Sequence, residues 1–495
     1  MTAQPKQPQN LRYIIIGAGM AGILAGIRLL ERGETDFVIY EKGSTVGGTW
    51  RENTYPGVAC DTPAHSYSYS FAFNPDWSAF YAPGPEIQDY FERMTDKFGV
   101  REFIRFNTEI ARCSYQDGRW RVTTQDGQVD EADVLVAATG VLHHPNTPDI
   151  PGLTDFTGAS FHSARWRHDI DYSKQRVGVI GNGSTGIQIV AAMSGQVPKL
   201  VHFQRSPQWI MPCPDTKYSD EDRQAFRQDP DKIEDVRSGP EAQARRGRFL
   251  AAIIDSNSPE LTEIQSIVEQ NLNETIKDPE LKAKLTPNYR AACKRLVFSP
   301  NYYQKVQHPS VSVEIAGIER VEENGVRLKD GTFHELDVLV LATGFKVDAF
   351  VRPMTITGID GIDLNDVWAE HPKAYYAVTV PKFPNFFMLN GPTGPVGNFS
   401  LIDIAERQWN YGDQLVDLLR NGQCKAFAPT EAALEEYEMQ RTEAAKKTVF
   451  ASGCKSWYLD AKGVPQVWPW PYETFMEVMA KPNLDHYELT PMANG

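Results

Sequence analysis

A chain of 495 residues exceeds what one hydrophobic core commonly supports, so two or three domains are expected. With 41% hydrophobic and 23% charged residues the composition is that of a soluble globular protein, and no window approaches the about 18 consecutive apolar residues of a membrane span. The formal net charge of −14 argues against a nucleic-acid binder, which would show a basic face.

The opening stretch, MTAQPKQPQNLR, is polar and lacks the apolar core of a signal peptide. Cys60, Cys113, Cys213, Cys293, Cys424 and Cys454 are scattered and form no CxxC pair. That spacing supports neither a zinc site nor a disulfide framework and fits a reducing cytoplasm. A monomeric cytoplasmic protein without membrane or nucleic-acid partners is expected.

The first informative segment predicts a strand from Tyr13 to Ile16, then Gly17-x-Gly19-x-x-Gly22, a helix, and a second strand from Asp36 to Tyr40 that ends at Glu41. In this strand–turn–helix context Gly17 permits the tight turn and Gly19 lets the backbone approach a pyrophosphate. Gly22 packs helix on strand, and the helix N-terminus faces phosphate charge. Glu41 is placed to accept hydrogen bonds from a ribose diol. The run ADVLVAATG (132–140) reads as a further buried parallel strand closed by a glycine turn.

FTGASFHSARW (156–166) follows as an inter-domain linker, in which His162 is expected to hydrogen-bond backbone across the junction as part of a hinge. No acidic or thiolate partner shares a ligand spacing with His143, His144, His162 or His168, so no metal site is expected. A strand from Arg176 to Ile180 then leads into Gly181-x-Gly183-x-x-Gly186, a helix, and a strand from Lys199 to Gln204 ending at Arg205. Gly17 to Glu41 spans the same number of residues as Gly181 to Arg205, so one topological position carries a carboxylate in the first unit and a guanidinium in the second. A carboxylate suits a free ribose 2′-OH and an arginine suits a 2′-phosphate, which assigns FAD to the first unit and NADPH to the second.

Residues 216–292 are rich in charged residues with apolar positions at helical spacing, which predicts a helical insertion; its basic run ARRGR (244–248) reads as surface. LDVLVLATGF (336–345) repeats the strand-to-glycine exit, and the chain then returns to the first unit. The fold class expected is α/β, with two Rossmann-like dinucleotide-binding domains and a helical insertion in the second. The FAD-binding domain is assigned 1–150 and 346–495, and the NADP-binding domain 151–215 and 293–345. The loop GPTGPVGNFSL (391–401), the insertion and the nearby Phe386 and Phe387 are expected to shape a substrate pocket.

FAD with NADPH leaves disulfide reduction, simple hydride transfer or oxygen activation. The stretch STVGGTWRENTYPGVACDTPAHSYSYSF after the first ribose carboxylate holds one cysteine, Cys60, where a disulfide reductase needs a pair. Two patterns instead resemble those of the type I Baeyer–Villiger monooxygenases, a class B flavin-dependent family. One is Gly-Gly-x-Trp-x4-Tyr-Pro-Gly-x3-Asp, matched from Gly47 to Asp61. The other is Phe-x-Gly-x-x-x-His-x-x-x-Trp, matched by Phe156, Gly158, His162 and Trp166, with Arg167 standing where the family has Pro or Asp. The two glycine fingerprints flank the second pattern in the family's order.

The resemblance implies an enzyme that inserts one oxygen atom of O2 beside a ketone carbonyl through a flavin C4a-peroxide, giving an ester or lactone. Sulfoxidation is a side activity, and the substrate is a small hydrophobic ketone or sulfide. The neighbouring class of N- and S-oxygenating flavin-containing monooxygenases is the alternative. By the same resemblance Gly17, Gly19, Gly22 and Glu41 hold the FAD adenosine half, with Thr49, Trp50, Asp61 and Tyr67 near the flavin. Gly181, Gly183, Ser184, Thr185, Gly186 and Gln188 hold the NADPH pyrophosphate, Arg205 and Ser206 its 2′-phosphate, and Lys294 contacts it as well. CKRLVFSPNYY (293–303) resembles the segment bearing the family's catalytic arginine, here Arg295, which Asp61 would aim. SGCKSWYLD resembles the loop whose tryptophan, here Trp457, closes over the nicotinamide.

Overall fold

The computed structural model describes residues 10–395 and 399–492. Its framework is two five-stranded sheets, each wholly parallel. The first takes Phe386–Met388, Val134–Ala137, Tyr13–Ile16, Phe37–Tyr40 and Ile104–Arg105 in spatial order. The second takes Val311–Glu314, Lys199–Phe203, Arg176–Ile180, Val338–Leu341 and Ala159–His162. In both, the strand entering a glycine loop is central, with the ribose-end strand on one side and the Ala-Thr-Gly strand on the other.

The sequence runs explain this layout. YIII, VLVA and VLVL are apolar at every position and buried at every position. That pattern belongs to strands covered on both faces, as crossover helices require. Three antiparallel strands interrupt each unit at the same place, just ahead of its Ala-Thr-Gly strand: Ile110–Gln116, Arg119–Thr124 and Val129–Ala132 in the first, where Thr355–Thr357 adds a parallel fourth, and Ile318–Glu322, Gly325–Leu328 and Phe333–Glu335 in the second.

The stretch 156–166 is more than a linker. Ala159–His162 pairs in parallel with Val338–Leu341 and forms the edge of the second sheet, the place that Phe386–Met388 takes in the first. Phe386 and Phe387 are correspondingly buried in the first sheet's core and do not line the cavity between the sheets, which corrects their expected place beside a substrate pocket. The loop expected there lies partly outside the described residues, at 396–398.

The insertion folds as five helices: Asp220–Gln228, Pro230–Ser238, Pro240–Ile254, Pro259–Thr275 and Pro279–Leu285. Four begin with proline at the first helical position, where no backbone N–H is needed. Asp229, Ser258 and Asp278 cap the exposed amides of three of them. At the base of the insertion Ile210–Met211 pairs in parallel with Val297–Phe298, which returns the 293–298 segment to the domain junction. Among the described residues no helix is long and apolar enough to cross a membrane.

Two buried histidines tie this framework to pH. His202 lies between the Gly181 carbonyl at 3.0 Å from Nε2 and the Tyr302 hydroxyl at 3.1 Å from Nδ1. His65 packs between Tyr218 and Phe226 with neither ring nitrogen hydrogen-bonded. Burial pushes both from the usual 6.5 down to about 4. Both rings stay neutral in the folded chain while their unfolded counterparts take up protons, so stability is full above about pH 6.5 and falls as pH drops toward 4, by about 1 kcal/mol per pH unit for each histidine. The urea midpoint should decline across that window, and His65→Leu should make the decline shallower. An unchanged slope in that variant would show that His65 does not titrate as placed.

Candidate active site

One cavity of about 2450 Å³ lies between the two sheets and the insertion. That exceeds the roughly 300–1,000 Å³ of an ordinary small-molecule pocket and suits more than one extended ligand. Its walls include Thr49, Trp50, Asp61 and Tyr67 from the first unit, Gly181, Gly183, Ser184, Thr185, Gln188, Arg205 and Ser206 from the second, and Lys294, Arg295 and Trp457. Gly17, Gly19, Gly22 and Glu41 form a second cluster outside this lining.

In that cluster Gly17 adopts φ +101°, and a Cβ on Gly22 would stand 1.8 Å from the Gly17 carbonyl oxygen. Only glycine at both positions lets the helix Met20–Glu31 start directly on the strand. Gly181 and Gly186 repeat the arrangement, with φ +112° and a 2.0 Å approach. Glu41 is buried and accepts the backbone amides of Ala18 at 2.8 Å and Gly43 at 2.7 Å, and the Arg51 guanidinium at 2.8 Å. Arg51 also pairs with Glu52, which in turn pairs with Arg165 beyond His162. Glycine turn, helix N-terminus and strand-end carboxylate together fit the adenosine end of a dinucleotide.

In the second unit Ser184 and Thr185 open the helix Ser184–Met193, which carries no acidic residue in its first turn. Gln188 is committed elsewhere. Its amide oxygen accepts from Tyr55 at 2.9 Å and its amide nitrogen donates to the Ala59 carbonyl at 3.0 Å, so its visible task is to hold the 55–59 segment of the first unit against the second. Arg205 is exposed at its strand end, and Lys294 donates to the Ser206 hydroxyl at 3.0 Å while lying 4.1 Å over the Tyr289 ring. Burial, and then the neighbouring Arg205 charge, lower the Lys294 pKa. Two cations and a hydroxyl converging without a carboxylate are the donor set for a phosphate dianion.

The centre of the cavity holds an ion pair. The Arg295 Nη2 donates to Asp61 Oδ2 at 2.6 Å, with the side chains 31% and 22% exposed. The Asp61 carboxylate raises the Arg295 pKa well above its ordinary value, so the guanidinium is permanently charged. Buried Tyr458 neighbours this guanidinium and adds to the same upward shift. In the first unit's wall of the cavity, Trp50 Nε1 donates to the hydroxyl of buried Tyr67 at 3.0 Å. Trp457, next to Tyr458, is 47% exposed at the cavity rim.

Expectations change here, and the residue that departs from the linker pattern finds its partner. ARRGR is not plain surface, since Arg245, Arg246 and Arg248 line the cavity. The cysteines do include a disulfide: Cys293 and Cys454 are bonded across 161 residues, with Cα atoms 6.0 Å apart. Arg167 stands exposed in a two-pronged pair with Asp169, at 2.7 Å for one prong, and does not line the cavity. Sequence reasoning missed Tyr55, Arg51, Glu52, Arg165 and Tyr458. All five sit inside the quoted motifs, but Glu52, Tyr55, Arg165 and Tyr458 act on residues far away in sequence, and Arg51 joins Glu52 to Glu41. His162 does bond backbone, with Nε2 2.9 Å from the Gly344 carbonyl and Nδ1 accepting the Ala164 amide at 3.1 Å, but the bond lies within the second unit, between the ends of two paired strands, and not across the domain junction as expected.

Comparison with known proteins agrees with this geometry. The pyridine nucleotide-disulphide oxidoreductase family profile matches residues 14–219. A Baeyer–Villiger monooxygenase of Streptomyces coelicolor is 40% identical over 489 residues, covering 97% of this chain and 93% of its own. One from Pseudomonas aeruginosa is 34% identical over 498 residues, covering 99% and 94%. The solved structure of cyclohexanone monooxygenase from Rhodococcus sp. Phi1 bound to NADP+ superposes with a TM-score of 0.86 at 31% identity, covering 98% of this chain and all of that one. Sequence similarity over almost the whole length, a shared fold and an arginine–carboxylate pair between two dinucleotide cradles lead to one conclusion: the chain belongs to the Baeyer–Villiger monooxygenase family.

Proposed function

We propose that this enzyme uses FAD and NADPH to insert one oxygen atom of O2 beside the carbonyl of a small hydrophobic ketone, yielding an ester or lactone, with sulfide oxidation as a side activity. It works as a cytoplasmic monomer. Residues 1–150 with 346–495 bind FAD, and residues 151–215 with 293–345 bind NADPH. The observation that carries this reading is the Arg295–Asp61 pair at 2.6 Å inside the shared cavity. When bound, FAD takes hydride from NADPH and activates O2.

The chain's own residues supply orientation and charge. Arg295 offers a guanidinium that does not deprotonate, placed where negative charge develops on the reacting oxygen atoms. In a cavity screened from bulk water such a fixed charge is worth far more than in solution. Asp61 aims it, and because the pair is partly exposed, the guanidinium can turn between Asp61 and the reacting atoms. Gly181, Gly183, Ser184, Thr185 and Gly186 cradle the NADPH pyrophosphate, while Arg205, Ser206 and Lys294 take its 2′-phosphate. Glu41 and the first glycine loop take the FAD adenosine half, with Thr49, Trp50 and Tyr67 on the flavin side. Gln188 acts indirectly, by holding the 55–59 segment. Met211, Leu250, Ile253, Phe298 and Phe450 give the cavity apolar walls that suit a hydrophobic substrate.

Arg295→Ala should leave flavin reduction by NADPH largely intact and lower ester formation by about 10²- to 10³-fold, read by stopped-flow absorbance and by mass spectrometry of products from cyclic ketones, aryl ketones and thioethers. Normal ester formation by that variant would overturn the assignment. Arg205→Ala and Lys294→Ala should each raise the KM for NADPH by about tenfold or more while leaving the KM for NADH nearly unchanged. An equal rise for both nucleotides would move these cations away from the 2′-phosphate.

A further inference from the structure

The disulfide joins the two segments that meet over the reacting centre. Cys293 lies two residues before Arg295 and one before Lys294, and Cys454 lies just before Lys455, Ser456, Trp457 and Tyr458, all of which line the cavity. Cys293, Cys454, Val449, Phe450 and Tyr458 belong to one buried apolar cluster, and the Phe450 and Tyr458 rings lie 4.4 Å apart. Around this anchor the chain is open: Ala451, Ser452, Gly453, Lys455 and Trp457 are exposed, and Gly453 adopts φ +95°. From 451 to 457, then, only Cys454 is buried and Ser456 half-buried. The remaining four cysteines are unpaired, and three of them are buried.

We propose that Cys293 and Cys454 are a positioning pair whose reversible disulfide braces the 451–458 segment against the Arg295 segment, and that its redox state sets how well NADPH oxidation is coupled to oxygen insertion. With the bond formed, Tyr458 is held beside the Arg295 guanidinium and Trp457 at the rim. With the bond broken, the 451–458 segment is retained by the packing of Cys454 and Tyr458 and by a few backbone hydrogen bonds, from Ala451 and Ser452 to the 448–449 turn and from the Gln466 amide to the Tyr458 carbonyl, and it opens more often. Reduction takes two equivalents of a small-molecule thiol: the S–S bond breaks, both cysteines leave as thiols, and the reductant leaves as its own disulfide. Oxidation is the reverse exchange with that disulfide. Cytoplasmic disulfides are commonly of this transient, redox-responsive kind. Burial of both sulfurs means that exchange requires the exposed turn around Gly453 to open first, so the brace protects itself while the segment is closed.

The proposal rests on the reading of Arg295 as the reaction's fixed cation, and the readouts are chosen to separate the two. Alkylation under denaturing conditions, after equilibration in glutathione disulfide or in glutathione, should find four free thiols in the first and six in the second, with the lost pair mapping to Cys293 and Cys454. Limited trypsin cleavage after the exposed Lys455 should be about tenfold faster in the reduced holoenzyme. With a ketone substrate, hydrogen peroxide released per NADPH consumed should rise severalfold on reduction. Cys454→Ser should behave as reduced wild type in both buffers, while reduction of unmutated protein guards against a folding defect in the variant. Six free thiols in both buffers, or equal trypsin rates and equal peroxide yields in the two wild-type states, would overturn the brace. Redox-dependent trypsin cleavage without ester formation in either state would support the brace and count against the reading of Arg295.

Discussion

The structure depends on keeping one positive charge at the place where three chain segments meet. Arg295 arrives at the end of the helical insertion, Asp61 from a loop of the first unit, and Tyr458 from the C-terminal region. An isolated guanidinium in a half-buried cavity would be expensive to desolvate, and its carboxylate partner at 2.6 Å offsets that penalty. Partial exposure matters as much as pairing. A fully exposed pair would be screened by solvent, whereas a pair at about a quarter exposure keeps much of its charge interaction.

Holding that pair in register is a problem of two domains. The two sheets share one plan, but the cavity lies between them, so any relative motion changes the distance from Asp61 to Arg295. Several polar contacts span the gap. Tyr55 and Ala59 meet Gln188, Thr54 meets His168 at 2.8 Å, and the Arg51–Glu52–Arg165 chain links Glu41 to the turn that follows the edge strand of the second sheet. Within the second unit, His162 ties that edge strand to the Gly344 carbonyl. Beside these polar contacts the junction is packed and cross-linked, since Tyr55, Val449, Phe450 and Tyr458 join the second unit's apolar cluster and Cys454 is bonded to Cys293.

Much of this was legible along the chain because local rules produce it. Each glycine loop needs a strand before it, a helix after it and a selective residue at the end of the next strand, all within one short span. Glu41 and Arg205 could therefore be compared position by position. The insertion announced itself by helical periodicity and by proline and cap residues. The misreadings share one cause, since each required knowing which distant segments touch. FTGASFHSARW looks like a linker because its strand partner, Val338–Leu341, lies far downstream. Cys293 and Cys454 look unrelated because 161 residues separate them. Phe386 and Phe387 sit close in sequence to a glycine-rich loop, yet their strand is an edge of the first sheet and faces its core.

By itself, the sequence determined the two α/β dinucleotide units, their different ribose-end charges and the family motifs that name Arg295 and Asp61. Local periodicity, glycine geometry and residue chemistry act over a few turns of chain and leave a readable trace. Tertiary structure alone decided that Arg295 and Asp61 form a pair, that Gln188 bridges domains, that Arg245 and Arg246 face the cavity, and that Cys293 and Cys454 join two segments that line it. Such contacts arise when chain segments far apart in sequence pack together, and no spacing rule records which residue will face which across a domain junction.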